Sequence, residues 1–309
     1  MKTSTAFAPG AISSFFEIHD TEDGKPINDL LKMGAIGGGF GLQKGTHTKV
    51  ILEEANENRI NVTINGETVN AKVTKHVTEA LLQKTTRKYA IVIEHQIEVP
   101  MGMGFGTSAG GALTTGLALK EALSLPLTYN QIGQAAHIAE IQCQTGLGTV
   151  SSLNLGGGLI LVTQPGAPGI CQTDRIPIPA DYRIVAGFYN SRIPKKSVLS
   201  SPQKKKEINR YGRKALEAIL AEPSLENFLD QCWEFSQKAG FANEKIRNLV
   251  YAAKKAGAVG AAQNMIGEAA HALVHEENAE LVAEAFKKSL PQNQVLISKI
   301  DFQGARLIK

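Results

Sequence analysis

A chain that contains PMGMGFGTSAGGA, Pro100 to Ala112, must place a tight glycine loop directly in front of a helix. Gly102, Gly104 and Gly106 alternate with other residues, and Thr107 and Ser108 then lead into small helix formers and the apolar spacing of Leu113, Leu117 and Leu119. The alternating, β-rich run 89–99 precedes it, so the order reads strand, glycine loop, helix. Glycine permits positive-φ turns and close backbone approach. The unpaired N–H groups of a first helical turn, together with the helix dipole, attract an anion, and a phosphate is the natural occupant. The chain has no G-x-x-x-x-G-K-[ST] sequence, and Pro100 with the Thr107–Ser108 pair is foreign to a dinucleotide fingerprint. Taken alone, the run reads first as a flexible turn before a close-packed helix, so the remaining segments decide.

The 309 residues exceed a typical domain of ~100 to 150, which predicts two domains. The Pro/Gly-rich segment 164–170 is the candidate boundary, dividing 1–167 from 168–309. A net charge of +4 is too small to imply a nucleic-acid partner. Cys143, Cys171 and Cys232 are widely spaced with no C-x-x-C pair, which points to neither a disulfide framework nor a zinc site. No stretch approaches the ~20 apolar residues of a membrane span, and the N-terminus lacks a signal-peptide pattern. The expectation is a soluble cytoplasmic protein.

Along the chain, residues 3–10 read as a short strand stopped by Pro9 and Gly10, followed by an extended segment over 11–18. Gly37, Gly38 and Gly39 mark either a bulge or hairpin corner, or a close approach of backbone to a ligand. Asn65-Gly66 between alternating runs signals a hairpin. Helical patterns cover 73–86, 112–123, 127–144, 225–238 and 245–256, with another starting at Lys204. Residues 145–157 read as a glycine and hydroxyl loop entering a strand at 158–163. Segment 254–274 breaks its helical period at Gly257 and Gly260 and resumes at Met265, which puts His271 and His275 four apart on a helix. Strands are expected at 182–190, 293–301 and 305–309.

Three glycine-bearing segments, FAPGAISSFFE, PMGMGFGTSAGG and KAGAVGAAQNMIG, stand in a fixed order that resembles the GHMP kinase superfamily over nearly the whole chain. Within it, the archaeal pantoate kinases resemble this sequence in four further places: the A-P-G-x-x-x-x-F-F-E start (Ala8 to Glu17), the glycine patch, T-G-L-G (Thr145 to Gly148), and S-x-E-x-F followed by M-x-G (Ser224 to Phe228, Met265 to Gly267). The chain departs from the pattern at Ala11, where histidine or lysine is usual, at Ile36, near where an arginine falls, and at Thr149, where an aspartate commonly follows G-L-G.

The resemblance implies an α+β, two-domain GHMP kinase fold. Its N-terminal ATP-binding domain would be like ribosomal protein S5 domain 2 and its C-terminal domain ferredoxin-like. It implies ATP and Mg²⁺ as cofactors and phosphorylation of the 4-hydroxyl of pantoate to 4-phosphopantoate on the archaeal route to coenzyme A, in a homodimer. Pro100, Gly102, Gly104, Phe105, Gly106, Thr107, Ser108 and Ala109 would then bind the nucleotide, and Ser108 with Glu140 would hold the metal. Thr149 takes the place of a catalytic base and leaves either base-free chemistry or neutral scaffolding. Ser13 and Ser14 are candidates for substrate hydroxyls or for turn bonds, and Arg192 and Lys196 for a substrate carboxylate or an exposed basic turn. Gly257 and Gly260 are expected to pack a third motif against the phosphate loop, and His137 to orient Glu140. Competing readings are a GHMP kinase for another small acceptor such as mevalonate, and a lapsed nucleotide-binding regulator.

Overall fold

The structure is a computed structural model and describes residues 1–190 and 201–308. Its first sheet is built on two long antiparallel strands, β1 (Lys2–His19) and β4 (Gly34–Glu54), paired from Lys2–Leu52 to His19–Gly34. Pro9 and Gly10 do not stop β1. They mark a register shift, and a second shift between Ser13 and Phe15 leaves Ser14 as an unpaired bulge residue.

A short ribbon, β2 (Thr21–Glu22) and β3 (Lys25–Pro26), joins the two long strands. Beyond β4 come β5 (Arg59–Ile64), β6 (Glu67–Thr68) and β7 (Tyr89–Ile97), in the sheet order β1-β4-β7-β5-β6. Asn65 and Gly66 both take positive φ, 50° and 86°, and close the β5–β6 hairpin as the sequence requires. β8 (Leu159–Gln164) pairs with the first part of β4, and β9 (Gln172–Ile176) pairs with β8. The last strand, β14 (Arg306–Ile308), returns to pair with β1.

Gly37 to Gly39 lie where β4 is clasped between β1 and β8. A Cβ on Gly39 would stand 1.7 Å from the Ile12 carbonyl oxygen, and one on Gly37 2.4 Å from that of Phe15. The glycine run is therefore a requirement of strand crowding opposite the bulge.

Helices α1 (Lys72–Leu82), α2 (Thr107–Leu123) and α3 (Tyr129–Gln142) cover one face of this sheet, with a Thr128–Gln131 capping box opening α3. Residues 149–154, expected as loop, form a short helix, α4 (Thr149–Asn154).

The second sheet runs β11 (Gly260–Gln263), β12 (Ala269–His275), β10 (Tyr182–Phe188), β13 (Val295–Lys299). Alternate residues of β10 enter different cores: Ile184 and Ala186 join Phe15, Phe40 and Phe228, whereas Val185 joins Ile246, Leu249 and Phe286. Burial on both faces removes the period-2 signal, which is why 269–275 resembles a helix in sequence and is a strand here. His271 and His275 are strand residues as a result. Helices α5 (Pro202–Ala221), α6 (Leu225–Lys238), α7 (Glu244–Lys255) and α8 (Ala279–Lys287) complete the fold. Asn209 on α5 bonds both the N–H and the carbonyl of Ile18, at 2.8 Å each, and fastens that helix to β1.

Among the described residues no helix is long and apolar enough to cross a membrane.

Candidate active site

The glycine loop between β7 and α2 takes positive φ at Gly102 (81°), Gly104 (81°) and Gly106 (63°), conformations that side-chain-bearing residues rarely adopt. Gly106 is the N-cap of α2 and offers no capping side chain, so the first-turn N–H groups of Thr107, Ser108 and Ala109 receive no side-chain cap. Phe105 is buried, with its ring edge-on to Phe188 at 6.3 Å, and its carbonyl accepts the Ala11 N–H at 3.0 Å. That residue thus anchors the loop from below and belongs to the site through its backbone. Pro100 is half-buried where the loop leaves β7.

Ser108, in the first turn of α2, donates its hydroxyl to Glu140 Oε1 near the end of α3. Thr145 Oγ1 donates to the same oxygen at 2.5 Å, a partner that local sequence does not single out. Glu140 is 3% exposed, and both bonds are charge-assisted. A Cβ on Gly146 would lie 2.5 Å from Glu140 Oε2, so the T-G of the T-G-L-G stretch supplies a hydroxyl and then the room for a carboxylate. His137 does not orient Glu140. Its Nε2 bonds the Met33 carbonyl at 3.0 Å, and burial lowers its pKa.

A cleft of about 670 Å³ opens beside this pair, lined by β1 from Ala11 to Ile18, the glycines of β4, residues 141–149, Met265 and Ile266. Thr149 belongs to the lining, and a Cβ on Gly106 would meet its Cγ2 at 2.9 Å and the Ala11 Cβ at 2.8 Å. Thr149 and Ala11 therefore stand between the cleft and the phosphate-binding candidate loop. Among the described residues Asp20 is the one carboxylate in the lining, and Lys205 pairs with it.

The two serines of β1 part company at the bulge. Ser13 lines the cleft, whereas Ser14 is fully buried and its Oγ meets His271 Nε2 at 3.0 Å, away from the lining. Gly257 and Gly260 lie elsewhere too: Gly257 (φ 92°) ends α7, and a Cβ on Gly260 would strike Leu229 Cβ at 2.6 Å. The segment that reaches the glycine loop follows them. A Cβ on Gly104 would meet Asn264 Cβ at 3.0 Å, and one on Gly267 the Met103 oxygen at 2.7 Å. Arg192 and Lys196 fall outside the described residues.

Two imidazoles are held neutral by burial: His271 is pushed down to about 3 and His95, bonded by Thr48 (2.7 Å) and Thr74 (3.0 Å), to about 4. Their folded pKa values lie below the unfolded value near 6.5, so their contribution to stability is present above pH 6.5 and is lost as pH falls toward 4 and 3. Each is expected to cost about 1 kcal/mol of stability at pH 5.5 relative to pH 8. Urea unfolding at the two pH values checks this, and His95→Gln should flatten the dependence by one proton's share; an unchanged slope would show that His95 plays no part.

A model of the GHMP kinases N terminal domain matches residues 71–157. The chain is 31% identical to the pantoate kinase of Methanocaldococcus jannaschii, over 93% of this chain and 98% of that one. With the pantoate kinase of Thermococcus kodakarensis the identity is 34%, over 89% of each. A solved structure described as a phosphotransferase related to the CoA biosynthesis pathway superposes with a TM-score of 0.87 at 31% identity, covering 99% of this chain and 98% of its own. With its glycine loop, serine–glutamate pair and full-length likeness to these proteins, the chain belongs to the pantoate kinase family of the GHMP kinases.

Proposed function

We propose that the protein transfers the terminal phosphoryl group of ATP to the 4-hydroxyl of pantoate, giving 4-phosphopantoate and ADP. The observation that carries this reading is the meeting of a cleft with the glycine loop at Thr149 and Ala11, beside the Ser108–Glu140 pair. The site suits the groups it would hold. The uncapped first turn of α2 and three positive-φ glycines form a backbone anion cradle. A hydroxyl and a carboxylate are the hard oxygen donors that Mg²⁺ prefers.

In this reading the N–H groups from Gly104 to Ala109 bind the phosphates, and Ser108 and Glu140 ligate the metal. The magnesium ion, when bound, neutralises phosphate charge as it shifts during transfer. Thr145 holds the Glu140 carboxylate in place through its hydroxyl. Ser13 and Thr149 orient the acceptor hydroxyl as hydrogen-bond partners. Thr149 takes up no proton near neutral pH, so the acceptor proton leaves with the transferred phosphoryl oxygens. We assign the acceptor carboxylate to Arg192 and Lys196, because a planar guanidinium fork pairs with a carboxylate in a bidentate manner and an ammonium attracts it as a point charge.

ADP release with Mg-ATP, measured with D-pantoate, mevalonate, homoserine or no acceptor, tests the proposal, with Ser108→Ala as control. The expected result is turnover that depends on pantoate and is lost in the variant. ATP binding with no turnover on any acceptor would overturn it in favour of a regulator.

A further inference from the structure

Behind the phosphate loop runs a buried chain of neutral hydrogen bonds that the phosphoryl transfer does not use. Ser14, the bulge residue of β1, lies within hydrogen-bonding reach of the Cys232 thiol on α6, and its Oγ meets His271 Nε2 at 3.0 Å. The other ring nitrogen, Nδ1, meets Asn264 Oδ1 at 2.9 Å. All four residues are completely buried. A neutral imidazole carries one proton, and because Nδ1 faces an amide oxygen, which only accepts, that proton sits on Nδ1: Nδ1–H donates to Oδ1, and the serine hydroxyl donates to Nε2. The chain thereby fixes which way the Asn264 amide faces. Its Nδ2 is buried and, among the described residues, has no hydrogen-bond partner.

Asn264 opens the turn between β11 and β12, and this turn lies directly against the glycine loop. Met265 N–H bonds the Ser13 carbonyl at 2.9 Å, which ties the turn to the acceptor strand as well. The Met103 carbonyl faces the turn, 2.7 Å from a Cβ position on Gly267, and Gly104 abuts Asn264 itself. In a trans peptide the carbonyl and the following N–H point in opposite directions. A Met103 carbonyl turned toward the β11–β12 turn therefore turns the Gly104 N–H away from that turn.

We propose that Asn264 is a positioning residue for the phosphate loop: with nucleotide bound, its Nδ2 donates to the Met103 carbonyl and holds the Gly104 N–H on the phosphates. This rests on the kinase reading above. An unpaired buried donor disfavours the nucleotide-free form, and pairing it on binding adds to nucleotide affinity. Ser14 and His271 act one step back by fixing the amide's orientation.

Titration calorimetry with a non-hydrolysable ATP analogue, alongside the melting temperature with and without it, tests the assignment in Asn264→Ala and Asn264→Asp. The aspartate variant keeps the volume and the oxygen that His271 needs while losing the donor. Both are expected to bind the analogue about tenfold more weakly, the worth of one hydrogen bond, and to show a smaller analogue-induced rise in melting temperature. Ser14→Ala should weaken binding by a smaller factor. A merely structural Asn264 would lower the melting temperature of the free protein and leave the dissociation constant alone. Binding within twofold of wild type in either folded variant overturns the proposal. If the wild-type protein itself fails to bind the analogue, the kinase reading falls with it, so the two failures are distinguishable.

Discussion

Glu140→Gln is expected to lower kcat by about 10²- to 10³-fold, the range seen when one preorganised electrostatic group is removed from a transition state. The carboxylate is 3% exposed, accepts from both Ser108 and Thr145 at Oε1, and has its other oxygen in the space that Gly146 leaves by lacking a side chain. Glutamine has the same shape and keeps an oxygen for the two hydroxyls, so the loop 145–148 stays in place and what disappears is the negative charge. Loss of a metal ligand also raises the Mg²⁺ concentration needed for half-maximal rate, whereas a purely structural role predicts no change in that requirement. Steady-state ADP release across a magnesium titration separates the two. A kcat within threefold of wild type, with unchanged magnesium dependence, would reduce Glu140 to an anchor for Thr145.

Features written in local backbone chemistry are legible in the amino-acid sequence itself. Positive φ at Gly102, Gly104 and Gly106, the Asn65-Gly66 turn and the strand–loop–helix order follow from what glycine and asparagine permit. The Ser108–Glu140 pair is legible only through the family resemblance, since a glutamate near a helix end is ordinarily a surface residue. What stays hidden depends on partners distant in sequence. Nothing local in the run Gly37 to Gly39 says that β1 and β8 press on it from two sides. Ser13 and Ser14 look alike in sequence, and only the bulge sends one to the cleft and the other to His271. The stretch 269–275 is rich in alanine and buried on both faces, so its strand period is invisible. Gly257 and Gly260 are the conspicuous residues of the third motif, yet Asn264 to Gly267 reach the loop. By contrast, α8 does carry a readable signal, with Ala279, Val282, Ala283 and Phe286 at helical spacing and all buried.

Thr149→Asp is expected to raise kcat by about 10²-fold, the low end of what a positioned general base contributes. Thr149 is the first residue of α4, lines the cleft, and with Ala11 is one of the two side chains that a Cβ on Gly106 would meet. A carboxylate there starts a helix, where negative charge is favoured. It also stands between the cleft and the glycine loop. The pH profile tells a base from a packing effect. With threonine no group at this position titrates, so kcat should owe no pH dependence to it. With aspartate, kcat should climb through the carboxylate range and level off once the side chain is ionised, with the acceptor KM little changed. Thr149→Ala, run in parallel, should stay within about tenfold of wild type, since a hydroxyl that only orients the acceptor is worth one hydrogen bond. If the aspartate variant folds and binds nucleotide but gains nothing, proton removal at this position does not limit the reaction. The acceptor hydroxyl is then activated by positioning alone, as a loose phosphoryl-transfer transition state allows.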